Sequence, residues 1–348
     1  MTSDKAPTMT TLRLSVLDQS VSVAGSTEDA AIRDTLELAQ HCERLGYERF
    51  WVSEHHSLPT IVGSAPEILM AAIAARTTRI RIGSAGVMLP HYSALKVAEQ
   101  FRVLEALAPG RIDLGVGRAP GGDMRTARAL NPNAHAAADD FPQQVRDLQA
   151  WTALPGHQGI AAHPLGPHAP EVWILGSSNY GAQLAAHFGL PYAYAYFFVD
   201  GQGAEEALSL YRRLYRPSER HPTPQATVCV WALAADTHDA AVHQALGRER
   251  WRVDRERGVL GPLQAPDAIA TRGFTADEWP TVAAMRAKAF VGTGPAVAQQ
   301  LRTLANELQL EEIVINTWAH DPLVRRHSYA LLAREFDMKF DLTSGCTA

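Results

Sequence analysis

The sequence predicts an α/β protein folded as a closed (β/α)8 TIM barrel with insertion segments, the longest of them near residues 236–290. Apolar runs of strand length alternate with segments of helical periodicity eight times along the chain, and such alternation is typical of a parallel sheet. Eight units within 348 residues favour closure into a barrel. An open, doubly wound sheet would place a glycine-rich phosphate loop after the first strand, and the sequence there, DQSVSV, contains no glycine.

The individual elements follow from apolar periodicity and from the residues that start or stop helices. Gly46 ends the first helix, Pro66 suits the first turn of the second, and the pair Pro109 and Gly110 closes the third. The predicted strands are 12–18, 49–54, 79–89, 111–117, 171–177, 191–198, 226–235 and 311–318. The predicted helices that follow them are 27–45, 65–77, 93–107, 139–154, 179–188, 203–215, 295–308 and 323–336.

The rest of the chain consists of a long insertion and two tails. We expect one barrel domain over residues 11–340, with flexible tails at 1–10 and 341–348. The insertion contains the charged run GRERWRVDRERG, and residues 248–257 of that run predict the solvated face of a helix.

Composition excludes several classes of protein. With 32 Lys and Arg against 37 Asp and Glu, the net charge of −5 argues against a nucleic-acid-binding surface. No apolar run approaches the roughly 20 residues needed to cross a bilayer, and the N-terminus lacks the apolar stretch of a secretory signal. The three cysteines, Cys42, Cys229 and Cys346, are far apart, which predicts neither a disulfide framework nor a zinc site. We therefore expect a cytoplasmic protein without a metal.

Two adjacent histidines follow the second strand, in the stretch VSEHHSLPT. Neighbouring side chains of a strand point to opposite faces, so His55 and His56 cannot both face one pocket and a metal site with two histidine ligands is disfavoured. We expect one histidine at the barrel mouth and the other packed with Glu54 between neighbouring loops. Histidine is the usual general acid or base near neutral pH. The alternative is that both histidines merely end the strand.

Two further stretches have the residues of an anion site. Arg118, in GVGRAPGGD, projects from a glycine-rich loop after the fourth strand, and a single arginine there suits a phosphate. Ser177, Ser178 and Asn179 form a small polar turn at the start of a helix, where free backbone N–H groups bind anions. The alternatives are a solvated arginine and ordinary helix capping. Glycines that interrupt the third strand, in GSAGVMLPH, indicate a bulge or a close backbone approach to a ligand.

Together these stretches resemble the bacterial luciferase-like family of flavin-dependent monooxygenases. The likeness rests on GYERFWVSEHHS, RIRIGSAGVMLPHYSALKVAEQFRVLEAL, GRIDLGVGRAPGGD, EVWILGSSNYGAQLAAHFGLPYAYAYFF and VGTGPAVAQQL, and it extends from about Leu12 to Phe336. It is greatest for the FMN-type branch that includes tailoring oxygenases of antibiotic and polyketide biosynthesis. The resemblance implies a TIM barrel, usually a homodimer, that takes reduced FMN from a separate flavin reductase. With O2 the flavin would form a flavin 4a-hydroperoxide and oxygenate a small organic substrate.

The resemblance also implies roles for individual residues. His55 matches the family's catalytic histidine, Arg118 the arginine at the flavin phosphate, and Ser177 with its neighbours the phosphate-binding turn. A non-proline cis peptide is expected between Gly86 and Val87, beneath the flavin ring. Gly117 stands where the luciferase catalytic subunit carries a reactive cysteine, which argues against light-emitting aldehyde chemistry.

Substrate and cofactor leave alternatives open. Aromatic residues expected near the mouth could suit a planar substrate such as an aromatic polyketide, although core packing is the favoured explanation; they are Tyr92, Tyr194, Tyr196, Phe198 and Trp318. A deazaflavin-dependent dehydrogenase that transfers hydride, and a non-catalytic flavin-binding protein, are compatible with the same barrel. The sequence does not distinguish hydroxylation, epoxidation and Baeyer–Villiger oxidation.

Overall fold

Eight parallel strands of the protein close into a barrel, as the sequence predicts. In this computed structural model, which describes residues 12–118, 123–153 and 156–338, every named strand pairs in parallel with its neighbours. The barrel runs from β1 through β6 to β7 and β9, which returns to β1. The strands are β1 (Arg13–Asp18), β2 (Arg49–Val52), β3 (Arg81–Met88), β4 (Ile112–Gly117), β5 (Glu171–Gly176), β6 (Tyr192–Tyr194), β7 (Ala226–Ala235), β8 (Phe290–Thr293) and β9 (Glu312–Asn316).

Helices cover the outside of the barrel. The helices of the described residues are α1 (Glu28–Leu45), α2 (Pro66–Ala74), α3 (Ala94–Leu107), α4 (Met124–Leu130), α5 (Ala134–Asp139), α6 (Phe141–Ala153), α7 (Asn179–Phe188), α8 (Ala204–Leu214), α9 (His238–Glu256), α10 (Pro266–Arg272), α11 (Trp279–Ala287), α12 (Gly294–Glu307) and α13 (Pro322–Glu335), of which α9, α10 and α11 belong to the long insertion. The apolar stripe of each barrel helix packs on the outward strand residues and forms the main core. The short helices α4 and α5 were not predicted, and the expected tails and the loop residues 119–122 lie outside the described residues.

Side chains that point into the barrel form layers, because alternate residues of a strand face the same side. The middle layer is apolar and separate from the outer core; it consists of Leu17, Trp51, Trp173, Ala193, Cys229 and Val314. The rings of Trp51 and Trp173 meet edge to face with centroids 5.2 Å apart. This layer isolates the two ends of the barrel from each other.

A buried ionic network fills the N-terminal end of the barrel. Arg49 donates hydrogen bonds to Asp113 at 2.9 Å and to Glu312 at 3.0 Å, and contacts Glu171 at 3.2 Å. Asp113 also accepts from the indole N–H of Trp51, at 2.9 Å, and from Arg81. Burial alone would raise the pKa of Asp113, but the guanidinium groups of Arg49 and Arg81 outweigh burial and hold that pKa below its usual range. Charges from β2, β3, β4, β5 and β9 are thereby fixed to one another.

The wall between β3 and β4 contains an irregularity, as the interrupting glycines predict. The pairing register shifts between Ser84 and Val87, and a Cβ added to Gly86 would lie only 2.8 Å from the carbonyl oxygen of Gly115. The non-proline cis peptide joins Ala85 to Gly86, so the predicted position, Gly86–Val87, is wrong by one residue. The bulge puts the irregular peptide before the glycine instead of after it.

The long insertion forms three helices and one strand. Its last strand, β8, pairs with the distal half of β7, beyond the barrel proper. The insertion then reaches back across the mouth to the loops after β1 and β2: the indole N–H of Trp251 donates to Thr60 at 2.9 Å, and Leu263 exchanges backbone hydrogen bonds with Ser22 and Ala24.

The charged run of α9 is not simply a solvated helix face, so that prediction is wrong. Glu249 is 6% exposed and Arg250 is 1% exposed. Arg250 donates to both carboxylate oxygens of Glu278, at 2.9 and 2.8 Å. Many of the charged residues of this run are paired with one another or with other residues of the insertion, so they do not all face solvent. Among the described residues, no helix is both long and apolar enough to span a membrane.

Replacing Asp113 with Asn should destabilise the protein by about 3–5 kcal/mol, because breaking a buried ion pair leaves uncompensated charge. Equilibrium unfolding in denaturant measures the difference. Since the folded-state pKa of Asp113 is lowered, the contribution of its carboxylate is present above the ordinary pKa of about 3.9 and is lost as the pH falls through the folded value. The matched control is Glu311→Gln, which removes an exposed pair with Arg13 at 3.9 Å. Equal effects of the two substitutions would contradict the role of the network.

Candidate active site

Polar residues meet at the C-terminal ends of the barrel strands, where the active site of such barrels lies. Residues 53–63 return from β2 beside the loop after β1: Val62 donates its N–H to Ser20, and Ser22 donates to Thr60. The mouth is thus walled on one side by two mutually bonded loops.

The two adjacent histidines point to different sides of their segment, as the alternation of side chains predicts. The imidazole Nδ1 of His55 lies 3.1 Å from the hydroxyl of Ser53, two residues back and on the inward side. His56 lies on the opposite side, with its Nε2 2.7 Å from a carboxylate oxygen of Glu54. His56 is therefore part of the packing between loops, whereas His55 faces the barrel mouth.

Glu54 fixes the position of this segment. Besides His56, its buried carboxylate accepts from the hydroxyl of Tyr92 at 2.6 Å and from the backbone N–H of Met88 at 3.0 Å. The carboxylate thus joins the end of β2 to the end of β3 and the turn after it. Burial raises the pKa of Tyr92 most, and the hydrogen bond to Glu54 raises it further. The tyrosine therefore keeps its proton and stays a hydrogen-bond donor.

His55 is held neutral. Its backbone N–H donates to Gly63 at 2.9 Å, and its ring is partly buried. Burial lowers the pKa of His55 to about 4; Glu54 opposes this shift, whereas His56 and, to a smaller extent, Arg255 add to it. A neutral imidazole at neutral pH can accept a proton on one nitrogen and donate from the other.

Arg118 and the turn after β5 come together on the other side of the mouth. The guanidinium carbon of Arg118 lies 4.2 Å from the ring centroid of Tyr180, the second residue of α7. Arg118 is exposed, and this cation–π contact directs its side chain toward the start of α7. The sequence singled out Arg118 but not Tyr180, because nothing in a local pattern reports a contact between a loop and a later helix.

The start of α7 leaves groups available to an anion. Ser178 is the N-cap residue, and its side chain makes no capping hydrogen bond. The side-chain amide of Asn179 donates to Glu206 of α8 at 2.7 Å, and the predicted cofactor contact of this residue stays a prediction. Ser177 and Ser178 lie just before the helix turn that contacts Arg118 through Tyr180, and their contact with a phosphate stays a prediction. The side chain of Asn179 joins α7 to α8.

Glycines leave the barrel wall at β3 and β4 without side chains, between the His55 side and the Arg118 side of the mouth. A Cβ at Gly115 would lie 2.1 Å from the carbonyl oxygen of Ser84, so only glycine fits there. Gly117 is different, because a Cβ there would meet no described atom within 4 Å and would enter open space. The wall is therefore flat beside β3, and no described atom crowds the Cβ position of Gly117 at the end of β4.

The side of the mouth under the insertion is aromatic. Trp251 of α9 meets Trp318 edge to face with centroids 4.7 Å apart, and Trp231 and Phe197 belong to the same apolar cluster. Trp318 also donates its indole N–H to Gln19 at 3.1 Å. Of the five aromatic residues singled out in the sequence, Trp318 lies in this cluster and Phe198 is exposed, whereas the rings of Tyr92, Tyr194 and Tyr196 pack on the outer core. Within the described ranges, no cluster of three or more His, Cys, Asp or Glu could hold a metal ion.

The His55 imidazole should titrate with a midpoint near pH 4, well below the ordinary value of about 6.5. NMR of the ring protons measures this, with the resonance assigned by its loss in His55→Gln. Because the unfolded chain binds this proton first, the free energy of unfolding should also fall as the pH drops from about 6.5. A midpoint near the ordinary value would show that the ring is solvated.

Comparison with known proteins agrees with this geometry. A sequence profile of the Luciferase-like monooxygenase family matches residues 12–309. The uncharacterized protein YwcH of Bacillus subtilis is 43% identical over 329 residues, which cover 93% of this chain and 98% of YwcH. The N-acetyl-S-alkylcysteine monooxygenase of the same organism is 35% identical over 337 residues, covering 92% of this chain and 97% of that enzyme. The crystal structure of apo-MsnO8 aligns with a TM-score of 0.88 at 35% identity and covers 95% of this chain and 100% of MsnO8.

More distant structures share the fold alone. The oxygenating constituent of 3,6-diketocamphane monooxygenase from Pseudomonas putida, solved with FMN, is 16% identical with a TM-score of 0.68 and covers 93% of this chain and 97% of its own. An F420-dependent secondary alcohol dehydrogenase is 14% identical with a TM-score of 0.66, covering 93% of this chain and 99% of its own. The chain belongs to the luciferase-like monooxygenase family and is an enzyme of that family.

Proposed function

We propose that the protein is a monooxygenase that uses reduced FMN and O2 to oxygenate a small organic substrate. The observation that carries this proposal is the contact of Arg118 with Tyr180, which brings a guanidinium group to the start of α7. One side of the mouth then offers a phosphate site, and the other offers a proton-transfer group and an apolar surface.

The residues present suit the phosphate of FMN. The N–H groups of the first turn of α7 and the positive end of the helix favour a dianion. Arg118 adds a full positive charge and a planar set of donors for phosphate oxygens. Ser177 and Ser178 supply hydroxyl groups, and the hydroxyl of Ser178 makes no capping hydrogen bond. The flat wall at Gly86 and Gly115 would let the flavin ring approach the backbone.

Each remaining part of the mouth has a role in this proposal. Reduced FMN, when bound, supplies the electrons that activate O2. Neutral His55 would accept or donate the proton that accompanies this chemistry, with Ser53 fixing the orientation of its ring. The aromatic cluster at Trp251 and Trp318 would exclude water from the reacting groups. The substrate is an organic molecule that packs on this cluster; an aromatic polyketide is one such molecule.

Partners follow from the same proposal. A separate flavin reductase would supply the reduced FMN. A homodimer is supported by exposed apolar side chains on α2 and α3, where Ile68 is 67% exposed, Val103 48% and Leu107 61%. The two described cysteines, Cys42 and Cys229, are buried free thiols, which suits a reducing cytoplasm.

Rapid mixing tests the reaction class. When the anaerobic complex of the protein with reduced FMN meets oxygenated buffer, absorbance should show a transient distinct from both reduced and oxidised FMN, and it should outlast the reoxidation of free reduced FMN. His55→Gln should shorten the transient, because proton handling at the flavin is lost.

Two results would contradict the monooxygenase proposal. Oxidised FMN could appear as fast with the protein as without it. Alternatively, a substrate could reduce a bound deazaflavin in the absence of O2, which would identify a hydride-transferring dehydrogenase.

Arg118→Gln should weaken FMN binding about tenfold, since one charge-assisted contact to an exposed phosphate is lost. Fluorescence quenching of FMN by the protein measures the dissociation constant. Riboflavin, which lacks the phosphate, should bind both proteins equally. The control variant is Arg128→Gln, an exposed arginine on the nearby helix α4. Equal weakening of FMN and riboflavin would place the effect in the fold and not in a phosphate contact.

A further inference from the structure

The arginines of α9 differ in whether they have carboxylate partners. Most of the ionic groups in the run GRERWRVDRERG are paired within the insertion or with the loop after β6. The pairs are Arg250 with Asp254 and Glu278, Arg252 with Asp200 and Glu256, Arg257 with Asp277 and Glu278, and Arg286 with Glu249. Two arginines of the run, Arg248 and Arg255, have no carboxylate partner in the described part of the chain.

Arg248 lies at the aromatic side of the mouth. Its guanidinium carbon is 4.3 Å from the ring centroid of Trp231, an inward residue of β7 that is 5% exposed. The guanidinium group makes no hydrogen bond or ion pair with any residue that the structure describes. The nearest carboxylates are already used, since Asp200 bonds to Arg252 and Glu249 bonds to Arg286 through both oxygens.

The environment makes this cation costly unless an anion joins it. Burial lowers the pKa of Arg248 to about 10, and the neighbouring charge of Arg252 adds to the shift. Arg248 is therefore still positively charged at neutral pH, in a place where water is scarce. Stacking on Trp231 occupies the face of the guanidinium group and leaves its N–H edge for a ligand. A partly buried charge without a partner is unfavourable, and an incoming carboxylate relieves that cost.

The positive charge of Arg255 adds to that of Arg248 on this side of the mouth. Its guanidinium carbon lies 5.3 Å from the ring of Trp251 and 5.6 Å from that of Phe198. Its charge also reaches His55, whose pKa it helps to lower. Arg255 is exposed, so it contributes positive charge at the rim of this side of the mouth, within electrostatic reach of the imidazole.

We propose that Arg248 binds a carboxylate of the substrate, so that the substrate of this enzyme is an organic anion with an apolar body that packs on the tryptophans. This inference deepens the proposed function. It rests on that proposal only in that the bound anion is called the substrate. The anion site itself lies beside β7 and α9, whereas the proposed phosphate site lies beside β4 and α7, so one flavin does not explain both arginines.

Binding of a matched pair of probes tests this site. Naphthylacetate and naphthylacetamide have the same ring, but only the first carries a negative charge. Calorimetric titration of the protein, with and without saturating oxidised FMN, should show saturable binding of the carboxylate and much weaker binding of the amide. Arg248→Gln should weaken the carboxylate about ten- to a hundredfold, the range for a charge-assisted hydrogen bond, and should abolish the preference over the amide.

Matched variants separate this site from general effects of charge. Arg252→Gln removes the same charge from the same helix, but that arginine is paired with Asp200 and Glu256, so carboxylate binding should change by no more than about twofold. Arg248→Lys keeps the charge without the planar donors and should bind with intermediate affinity.

Three outcomes would overturn the proposal. Equal binding of the two probes, or no saturable binding of the carboxylate, would show that no anion site exists there. Equal losses in the Arg248 and Arg252 variants would reduce the effect to overall charge. A larger loss of affinity for FMN than for riboflavin in Arg248→Gln, relative to the unmodified protein, would assign the arginine to the flavin phosphate. These measurements do not depend on oxygenation, so they can fail while the monooxygenase activity stands.

Discussion

The ion pair between Arg49 and Asp113 is the interaction on which the rest of the barrel depends. A guanidinium group inside a barrel is tolerated only if carboxylates surround it, and here the carboxylates come from β4, β5 and β9. The pair therefore fixes the strands in register across the full width of the barrel. Because the side-chain period of a strand is two residues, a slip of one residue would turn every inward group outward.

That register extends from the floor of the barrel to its mouth. On β2 the inward side begins with Arg49, continues through Trp51, and reaches Ser53 and His55 beyond the end of the strand. The apolar middle layer separates the ionic floor from the histidine, so the two ends carry different electrostatic environments. The same alternation puts Glu54 outside, where it joins the ends of β2 and β3.

Sequence reasoning succeeded where a rule of local geometry decides the answer. Apolar alternation predicted the eight barrel strands, and α7 has the predicted bounds of residues 179–188. The opposite orientation of His55 and His56 followed from strand geometry alone. The cis peptide was misplaced by one residue because its position depends on how β3 bulges against β4, which no local pattern records.

The failures share one cause, which is pairing between residues far apart in the chain. The run on α9 looked solvated because its carboxylate partners, such as Glu278, lie more than twenty residues away. The sequence pattern did not single out Tyr180 because its partner, Arg118, comes from a different loop. For the same reason the chain pattern did not single out Arg248: an arginine is unusual only once the partners of all its neighbours are known.

The anchoring of the insertion has a consequence for how such an enzyme diversifies. The insertion touches the loops after β1 and β2 through Trp251 and Leu263, and it carries the arginines that face the mouth. The groups suited to a flavin phosphate lie on β4 and α7, on a separate part of the scaffold. If the two proposed sites are right, mutation of the insertion would change which molecule is bound, whereas the groups proposed to hold the cofactor would stay unchanged.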